Sequence, residues 1–305
     1  MTDQPKFAIL ESFTWNTEEE YIIKKSIRNL DSPIIEHNED ARRRLKKIGK
    51  KCLPYIIEAI ENNALTPDCI SYELPEVFAL FKKNAVSFLI PYLDNPNEDL
   101  VDAAISAITE VGKPAVPILC EEIDTENIVI RQKIIEILGS IGDKKALPVL
   151  IETLSDPEES VRSEAEWALE QFDSSIYDQI LPLLNSDSIH QICSAIYILP
   201  RLDRDKGISA VIPLLKNTDE EIFDSLFRSF SFLKPIPVDE LLTYVHSENT
   251  QELCVVLNIL ANCEDTSVIE KISHLKDHPD DGVRETAEWA IDMLTESRDK
   301  TPLII

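Results

Sequence analysis

Histidine and cysteine are the residues of this chain best suited to metal or nucleophilic chemistry. His274 and His278 stand four positions apart, a spacing that could bring two imidazoles to one metal ion on a helix. His278 precedes Pro279, however, and a residue before proline is biased away from helical geometry. We therefore expect the two rings to lie on different faces, and the sequence predicts neither a metal site nor a cofactor.

The six cysteines are widely scattered, and no C-x-x-C pair occurs among them. This spacing favours neither a zinc site nor a disulfide framework. Cys120, Cys193 and Cys254 fall in apolar helical stretches, where a cysteine usually acts as a small buried hydrophobe. Cys69 lies in a longer connection and could be exposed. No Gly-rich phosphate loop or nucleophile motif accompanies these residues, so we expect a protein that is not an enzyme.

The charge of the chain restricts its partners. Lys and Arg number 30 against 56 Asp and Glu, which gives a net charge of −26. Such a charge repels phosphate backbones and anionic membrane surfaces, so neither nucleic acid nor a membrane is an expected partner. A basic protein is favoured instead. Solubility and the capping of helices also account for part of the acidity.

Composition also indicates the fold class and the compartment. Only 6 of 305 residues are Gly, which argues against turn-rich folds and favours long helices with short connections. The sequence has neither a signal-peptide pattern at its start nor an apolar stretch of bilayer-spanning length. We expect a cytoplasmic location.

A repeat in the sequence indicates the helices that would position any site. "VRSEAEWAL" at 161–169 returns as "VRETAEWAI" at 283–291. Between and before them, amphipathic segments related to "ALPVLIETL" recur every 30 to 33 residues. These segments begin at residues 52, 85, 115, 146, 176, 207, 237 and 267.

Each repeat is predicted to be a helical hairpin. In 146–154 the apolar residues follow helical spacing, and a second amphipathic segment precedes each such stretch, as at 161–172. The small Ala165 and Ala168 allow close helix contacts, and Asp143 can cap the second helix. A single hairpin cannot bury both of its faces, so we expect the copies to stack into a solenoid.

The segment "IRQKIIEILGSIGDKKALPVLIETLSDPEESVRSEAEWAL" at 130–169, with its Asp-Pro before a Val-Arg pair, resembles the HEAT-like repeat family. The likeness is greatest to the short bacterial type also found in phycobilisome lyases, and weaker copies extend it over roughly 40–297. The Val-Arg pair becomes Ile130-Arg131 in one repeat and Val101-Asp102 in another. The resemblance implies an all-α fold, a right-handed alpha-alpha superhelix of about eight hairpins.

The resemblance also bears on activity and on single residues. Iron-binding HEAT-like hydroxylases depend on His-Glu pairs, but no histidine here is followed by Glu. HEAT-like DNA glycosylases need a basic concave surface, the reverse of this composition. In the family, the arginine of the Val-Arg pair typically joins a ladder with an acidic residue of an adjacent repeat. We expect this role for Arg162 and Arg284, with Asp156 as a plausible partner for Arg162.

The predicted organisation has three parts: an N-terminal cap segment at 1–38, a HEAT-like solenoid at 39–282, and a C-terminal capping helix and tail at 283–305. The connection at 61–75 is longer than the others and is predicted to protrude as a loop. Pro91, Pro182 and Pro213 stand late in their second helices, which should therefore kink or end early.

Two surfaces are candidates for binding. Second helices of HEAT-like repeats usually line the concave side, so their flanking positions could present aromatic side chains beside acids to a basic segment of a partner. The alternative is packing between adjacent repeats. This candidate surface consists of Tyr55, Phe88, Tyr92, Glu121, Glu122, Glu152 and Tyr244.

The second candidate is a basic patch in "ARRRLKKIGKK". Ala41, Leu45 and Ile48 keep helical spacing there, so the patch is predicted to be the outer face of an amphipathic helix. This face could be simply solvated, or it could contact an anionic partner or the acidic body of a second copy of the chain. The rest of the chain carries −33 once these seven positive charges are set apart from the total of −26. The patch consists of Arg42, Arg43, Arg44, Lys46, Lys47, Lys50 and Lys51.

These features favour a non-enzymatic scaffold or adaptor that binds a protein, with a basic partner steered by the acidic surface. The resemblance to lyase repeats keeps a phycobilin lyase-like chromophore attachment protein, or its accessory subunit, as an alternative. A second alternative is an immunity-type inhibitor of a basic toxin.

Overall fold

The structure is a computed structural model that describes residues 17–217 and 219–300. Within those ranges the regular elements are helices, and no strand occurs. The outermost parts of the predicted end segments, 1–16 and 301–305, lie outside the described residues. The chain divides into two compact units, one formed by the residues up to 150 with 158–168, the other by 151–157 and the residues from 169 onward.

The first unit is built from α-helices joined by short turns. Their bounds are α1 Thr17–Leu30, α2 Ile35–Ile48, α3 Leu53–Glu61, α4 Leu74–Ala79, α5 Lys83–Leu89, α6 Glu98–Val111, α7 Val116–Glu122 and α8 Ile128–Ile141. Two further helices, α9 Leu147–Thr153 and α10 Glu159–Glu170, have residues in both units.

The second unit continues the same alternation of a longer first helix and a shorter second helix. Its helices are α11 Tyr177–Ile180, α12 Ile189–Leu202, α13 Arg204–Val211, α14 Glu220–Ser231, α15 Val238–Leu242, α16 Thr250–Leu260, α17 Val268–Ile272 and α18 Asp281–Lys300. The predicted all-α hairpin architecture of the α-solenoid class is confirmed.

Glycine and aspartate form the turn inside a hairpin. Gly112 and Gly142 end their first helices with φ of +67° and +63°, a conformation that glycine adopts without steric cost. The Oδ1 of Asp143 then accepts a hydrogen bond of 3.1 Å from the Lys145 N–H, which confirms its predicted capping role. Asp173 repeats the arrangement in the next hairpin, with Ser175 as the donor at 2.9 Å.

The turns between hairpins share a different hydrogen bond. The backbone N–H of the residue before the first helix donates to a side chain two positions earlier, as Asn97 does to Asn95 at 3.0 Å. His278 takes the same place, since its Nδ1 accepts from the Asp280 N–H at 3.1 Å. His278 is therefore a turn residue equivalent to Asn95, which confirms that it does not share a helical face with His274.

The late prolines end their helices as predicted. The α-helix ends two residues before Pro91, Pro182 and Pro213. A 3-10 turn follows at Ile90–Tyr92, Leu181–Asn185 and Ile212–Lys216. Proline is not the whole cause, because α17 also passes into a 3-10 segment, Ser273–Asp277, that contains none. Second helices in this array are therefore generally short.

Close helix contacts depend on small residues. Ala165 and Ala168 of α10 are fully buried, as the repeat pattern predicts. A Cβ built on Gly139 of α8 would lie 2.8 Å from the Cα and Cβ of Ala168, closer than real side chains approach. Helices α8 and α10 therefore pack with their backbones nearly touching.

The prediction of a protruding loop at 61–75 is wrong. Leu65, Cys69 and Ile70 are buried, and Cys69–Glu73 forms a π-helical turn that leads directly into α4. The chain here is the first helix of the second hairpin. Its apolar spacing stretches to five between Cys69 and Leu74, and the π turn absorbs the extra residue.

The repeat register is also corrected at one place. Leu100 is buried and lies three residues after Asn97, the residue before α6. Val161 is likewise buried near the start of α10. In this repeat, the residues equivalent to the Val-Arg pair are therefore Leu100-Val101. The alignment of the repeats within the sequence had predicted Val101-Asp102.

Candidate protein-binding surface

The best-defined part of the candidate surface lies in the first unit. Phe88 of α5 and Tyr92 of the following 3-10 turn are both half-buried, and their ring centroids lie 5.6 Å apart with the planes tilted by 41°. The spacing of four residues brings the rings together even though the α-helix ends between them. Offset or tilted pairs of this kind are favourable for aromatic rings. They form an apolar wall with one edge in solvent.

Tyr55 stands at the corresponding position of the preceding hairpin, but it is only 9% exposed. Lys24 of α1 places its Nζ 5.4 Å from the ring centroid of Tyr55 and pairs with Glu20 at 3.0 Å and Glu58 at 3.5 Å. Its pKa is raised chiefly by the hydrogen bond to Glu20. Burial, with the negative charge of Glu20, raises the pKa of Tyr55. Sequence reasoning missed Lys24, although the i, i+4 spacing of Glu20 and Lys24 could have indicated an ion pair.

A cavity of about 260 Å³ opens beside this lysine, between α1 and α3. Apolar side chains form part of its wall, and charged groups stand beside them. The lining residues are Lys24, Ile27, Arg28, Tyr55, Glu58, Ala59, Asn62, Ala64 and Leu65.

One acidic side chain acts on the aromatic pair, and two more lie on the helix that packs against α5. Burial raises the pKa of Tyr92, and the negative charge of Glu61, at the end of α3, raises it further. Helix α5 packs against α7, which carries the exposed Glu121 and Glu122. Neither of these two forms an ion pair with any residue of the described ranges. Glu121 and Glu122 are therefore available to attract a positively charged group of another molecule.

The remaining residues of the predicted surface belong to the second unit. Glu152 is exposed, and Tyr244 is half-buried. The pKa of Tyr244 is raised by burial and by the charge of Glu252. Glu252 is 3% exposed and accepts a hydrogen bond from the Ser247 hydroxyl. Glu252 occupies the position equivalent to the buried Val161 of α10, so it places a carboxylate at a core position that is apolar in α10. Sequence reasoning did not single out Glu252.

Three residues of the basic patch form ion pairs with acidic side chains. Arg42 is turned toward Glu73 and Glu76 of the next hairpin and pairs with both, which raises its pKa through the hydrogen bond to Glu73 above all. Arg44 pairs with Asp40 at 2.7 Å, and Lys51 with Glu19 at 3.4 Å.

The other members of the patch face outward. Arg43 donates to the Glu39 carbonyl at 3.2 Å. Lys46, Lys47 and Lys50 are exposed and have no ion pair to a residue that the structure describes. The predicted amphipathic helix is confirmed in α2 by the burial of Ala41 and Leu45. The uniform basic face is not, because Arg42 serves the contact between hairpins.

Arg284, the arginine of the second Val-Arg pair, has different partners from the one expected. Arg284 donates from Nη1 to the carbonyls of His278 and Pro279, at 2.8 and 3.1 Å, and pairs with Asp281 of its own helix. Arg131 likewise donates to the Thr125 carbonyl, six residues earlier, at 2.8 Å. At these two positions the arginine closes the turn before its own helix, and the ion pair that Arg284 forms is with an acid of its own helix. The role of Arg162 stays a prediction.

The cysteines and histidines were the residues best suited to chemistry, and the structure places them as follows. Cys69 is buried, so the prediction that it could be exposed is wrong. Burial raises the pKa of the Cys52 and Cys69 thiols to about 12. Cys120, Cys193 and Cys254 are half-buried, whereas full burial was predicted. The described ranges contain no group of three or more His, Cys, Asp or Glu that could hold a metal ion. His246 and His274 contact each other, with ring centroids 5.2 Å apart.

Two large aromatic residues of the repeat motif reach the surface. Trp167 of α10 is 43% exposed, and Trp289 of α18 is 45% exposed.

No helix among the described residues combines the length and the apolar character needed to cross a membrane.

Comparison with known sequences supports the repeat assignment. Residues 86–170 match the family model for HEAT repeats, which confirms the predicted resemblance over that segment. A 139-residue stretch is 33% identical to an uncharacterised phycocyanin operon protein Y of Pseudanabaena tenuis. The match covers 41% of this chain and 31% of the relative, so the chain spans about a third of that protein's length.

Three solved structures align with most of this chain, at low identity and low TM-score. An engineered protein is 15% identical with a TM-score of 0.32, and the match covers 92% of each chain. Human deoxyhypusine hydroxylase, solved in complex with glycerol, is 15% identical with a TM-score of 0.34 over 91% of this chain and 97% of its own. A designed armadillo repeat protein is 17% identical with a TM-score of 0.19, covering 89% and 99%. Scores this low carry no argument about activity.

Proposed function

We propose that this protein is an interaction scaffold that binds a basic protein partner on the acidic, partly aromatic surface of its second helices. HEAT repeats generally act as scaffolds for protein interaction, and residues 86–170 match that family. The observation that carries the proposal is the ring pair of Phe88 on α5 and Tyr92 in the 3-10 turn that follows. Helix α5 packs beside α7, which presents Glu121 and Glu122 to solvent.

Apolar and charged groups would contribute to binding of the partner in different ways. Half-buried aromatic rings supply contact area at a small cost in side-chain entropy. The surrounding acids attract a basic partner at long range and exclude acidic competitors. The total charge of −26 extends this attraction beyond the contact surface.

Charge reversal on α7 tests the proposal. The tagged protein would be used to capture partners from its native cells, and each retained protein would then be purified and titrated in 50 and 300 mM NaCl. We expect a basic partner whose affinity falls with salt and falls at least tenfold for Glu121→Lys with Glu122→Lys, because repulsion replaces attraction. The matched control is Glu285→Lys with Glu288→Lys, two exposed acids of α18 that change the net charge equally.

Two results would overturn this function. One is a partner that is acidic or is retained equally at both salt concentrations. The other is a basic partner that binds the α7 variant and the α18 control with equal affinity, which would place its contact elsewhere.

A chromophore attachment protein or its accessory subunit is the second candidate, because the 33% identical relative is a phycocyanin operon protein. Co-expression with phycocyanin subunits and a phycobilin would test it. Visible absorbance that stays with the subunit after denaturation would place this candidate first. A colourless subunit, in the presence of a captured basic partner, favours the scaffold.

A further inference from the structure

An ion pair joins the first helices of two neighbouring hairpins. Arg201 of α12 places its Nε 3.3 Å from a carboxylate oxygen of Glu170, the last residue of α10 in the preceding hairpin. Both side chains are mostly shielded from solvent, and Glu166, one turn earlier on α10, is buried. An acid on one first helix and a cation on the next thus take part in the stacking of hairpins.

The last helix carries the same acids. The stretch "VRSEAEWALE" of α10 aligns with "VRETAEWAID" of α18, so Asp292 corresponds to Glu170. By the same alignment Glu288 corresponds to Glu166. Both residues of α18 are exposed, and neither forms an ion pair with a residue that the structure describes. Helix α18 is also the last helix of the described chain, so no later hairpin among the described residues covers these acids.

Helix α2 carries the corresponding cation. The turn before it contains a hydrogen bond from the Ile34 N–H to the Ser32 hydroxyl at 3.2 Å, and the turn before α12 contains the same bond at 3.1 Å. Buried residues fall at the same positions of both helices in this register, which makes Lys47 the equivalent of Arg201. Although α1 packs on α2, Lys47 is exposed and has no ion pair with a described residue.

A second contact between first helices points to Arg44 in the same way. The Ser229 hydroxyl of α14 donates to the Ile196 carbonyl of α12 at 2.8 Å. In the register set by the turn hydrogen bonds, Arg44 of α2 corresponds to Ser229. Glu288 of α18 corresponds to Ile196. A helix like α18 that stacked on α2 with the spacing found within the chain would therefore bring Glu288 to Arg44.

The two helices also carry opposite net charges. Helix α2 has five Arg and Lys against three Asp and Glu, whereas α18 has six Asp and Glu against three Arg and Lys. Ile35 of α2 is 75% exposed, although its equivalent in α12, Ile189, is half-buried. A helix stacked on α2 would thus meet complementary charge and would cover an apolar side chain.

We propose that α18 of one copy of this protein stacks on α2 of a second copy and continues the array of first helices. Asp292 pairs with the Lys47 of that copy as Glu170 pairs with Arg201, and Glu288 lies opposite its Arg44. The contact joins two different surfaces, so it is heterologous and further copies can join the assembly. It uses neither α5 nor α7 and is independent of the proposed function.

Sedimentation velocity of the full chain tests the contact. In 150 mM NaCl the Debye length is about 8 Å, so the repulsion between the acidic bodies is screened at longer range while ions in contact still interact. We expect the sedimentation coefficient to rise with protein concentration up to about 0.5 mM, the range in which a weak, small interface associates.

Reversing one charge of the pair should weaken the association. Lys47→Glu and Asp292→Lys each place like charges in contact, so we expect either variant to associate about tenfold or more weakly than the wild type. The matched controls are Lys145→Glu and Glu122→Lys, two exposed residues outside the contact whose substitution changes the net charge by the same amounts. Both controls should associate as the wild type does.

Mixing the two variants distinguishes a lost ion pair from a damaged fold. In an equimolar mixture of Lys47→Glu with Asp292→Lys, alternating copies bring opposite charges together at every contact. We expect the association to return close to the level of the wild type, which a misfolded variant could not do. Circular dichroism of each variant alone would confirm that it is folded.

Three results would overturn the contact. The first is a wild-type chain that stays monomeric over the whole concentration range. The second is an association that Lys47→Glu and Asp292→Lys leave unchanged, or that Glu122→Lys weakens as much as Asp292→Lys does. The third is a mixture of the two folded variants that associates no better than either variant alone. Capture of a basic partner is measured separately, so this contact and the proposed function can fail independently.

Discussion

At the scale of single residues, one acidic side chain lies where its ionised form is unfavourable. Glu164 of α10 is half-buried near Glu136 and Lys133 of α8. Burial raises the pKa of Glu164 first, and the negative charge of Glu136 raises it further. Lys133 opposes the shift, but it is already paired with Glu136 at 2.8 Å. The ionised form of Glu164 is therefore disfavoured in the folded chain.

Glu164→Gln should consequently stabilise the protein at neutral pH. A carboxyl whose pKa is raised by folding binds its proton more tightly in the folded state, so its unfavourable contribution is absent at low pH and complete once pH exceeds the folded pKa. We expect a small increase in the free energy of unfolding at pH 7, well below about 1 kcal/mol, because solvent screens a half-buried charge. Urea unfolding at pH 7 and at successively lower pH would measure it.

The difference between Glu164→Gln and the wild type should shrink as pH falls through the carboxyl range. Glu285→Gln, on the exposed face of α18, serves as the control and should change stability less. A variant less stable than the wild type at pH 7 would contradict the assigned cause, since it would mean that ionised Glu164 is favourable where it stands.

At the scale of elements, close packing is decided by a few glycines within helices. Gly207 lies in α13, and a Cβ at this position would overlap the Leu199 carbonyl group and the Pro200 nitrogen of α12. These are backbone atoms, which cannot rotate away as a side chain can. The hairpin of α12 and α13 therefore requires a residue without a side chain at this point.

Gly207→Ala should destabilise the second unit by about 1–3 kcal/mol, despite the better helix propensity of alanine, because the two backbones must move apart. Chemical denaturation followed by circular dichroism would measure the loss. Gly282→Ala in α18 is the matched control, since its Cβ would meet only the side-chain Oδ1 of Asp280 at 3.3 Å. It should range from neutral to about 1 kcal/mol stabilising. If both variants were equally stable, the close approach at Gly207 would not be a constraint.

At the scale of the whole molecule, net charge opposes the compact state. A charge of −26 on 305 residues gives repulsion that folding intensifies, because the acids are brought closer together. Ion pairs such as Lys24–Glu20 and Arg44–Asp40 offset only part of it. A basic partner would reduce the same repulsion on binding.

Added salt should therefore raise the thermal stability at pH 7. We expect the melting temperature to increase by a few degrees between 20 and 300 mM NaCl, since the Debye length shortens and the like charges are screened. The increase should be smaller near pH 4.5, the isoelectric point, where the net repulsion is weak. A melting temperature that falls with salt at pH 7 would mean that favourable ion pairs dominate the charge interactions.

Much of this protein follows from the sequence alone. The recurrence every 30 to 33 residues determined the hairpins, the small residues at Ala165 and Ala168, the cap at Asp143 and the early ends before the late prolines. These features are local or periodic, and each arises from backbone geometry within a few residues. The candidate surface was defined from the sequence as a set of positions, because residues at one register of a repeated helix share a flank, and it stays a prediction.

Only the tertiary structure decided which groups meet. Lys24 on Tyr55, Arg42 between Glu73 and Glu76, and Glu61 beside Tyr92 join residues about 30 positions apart, and no local pattern relates their side chains. The helix at 69–79 was hidden because a π turn interrupts its 3.6-residue period. Periodic spacing fixes which face of a helix is apolar, whereas the partners of each charge depend on the packing of one hairpin against the next.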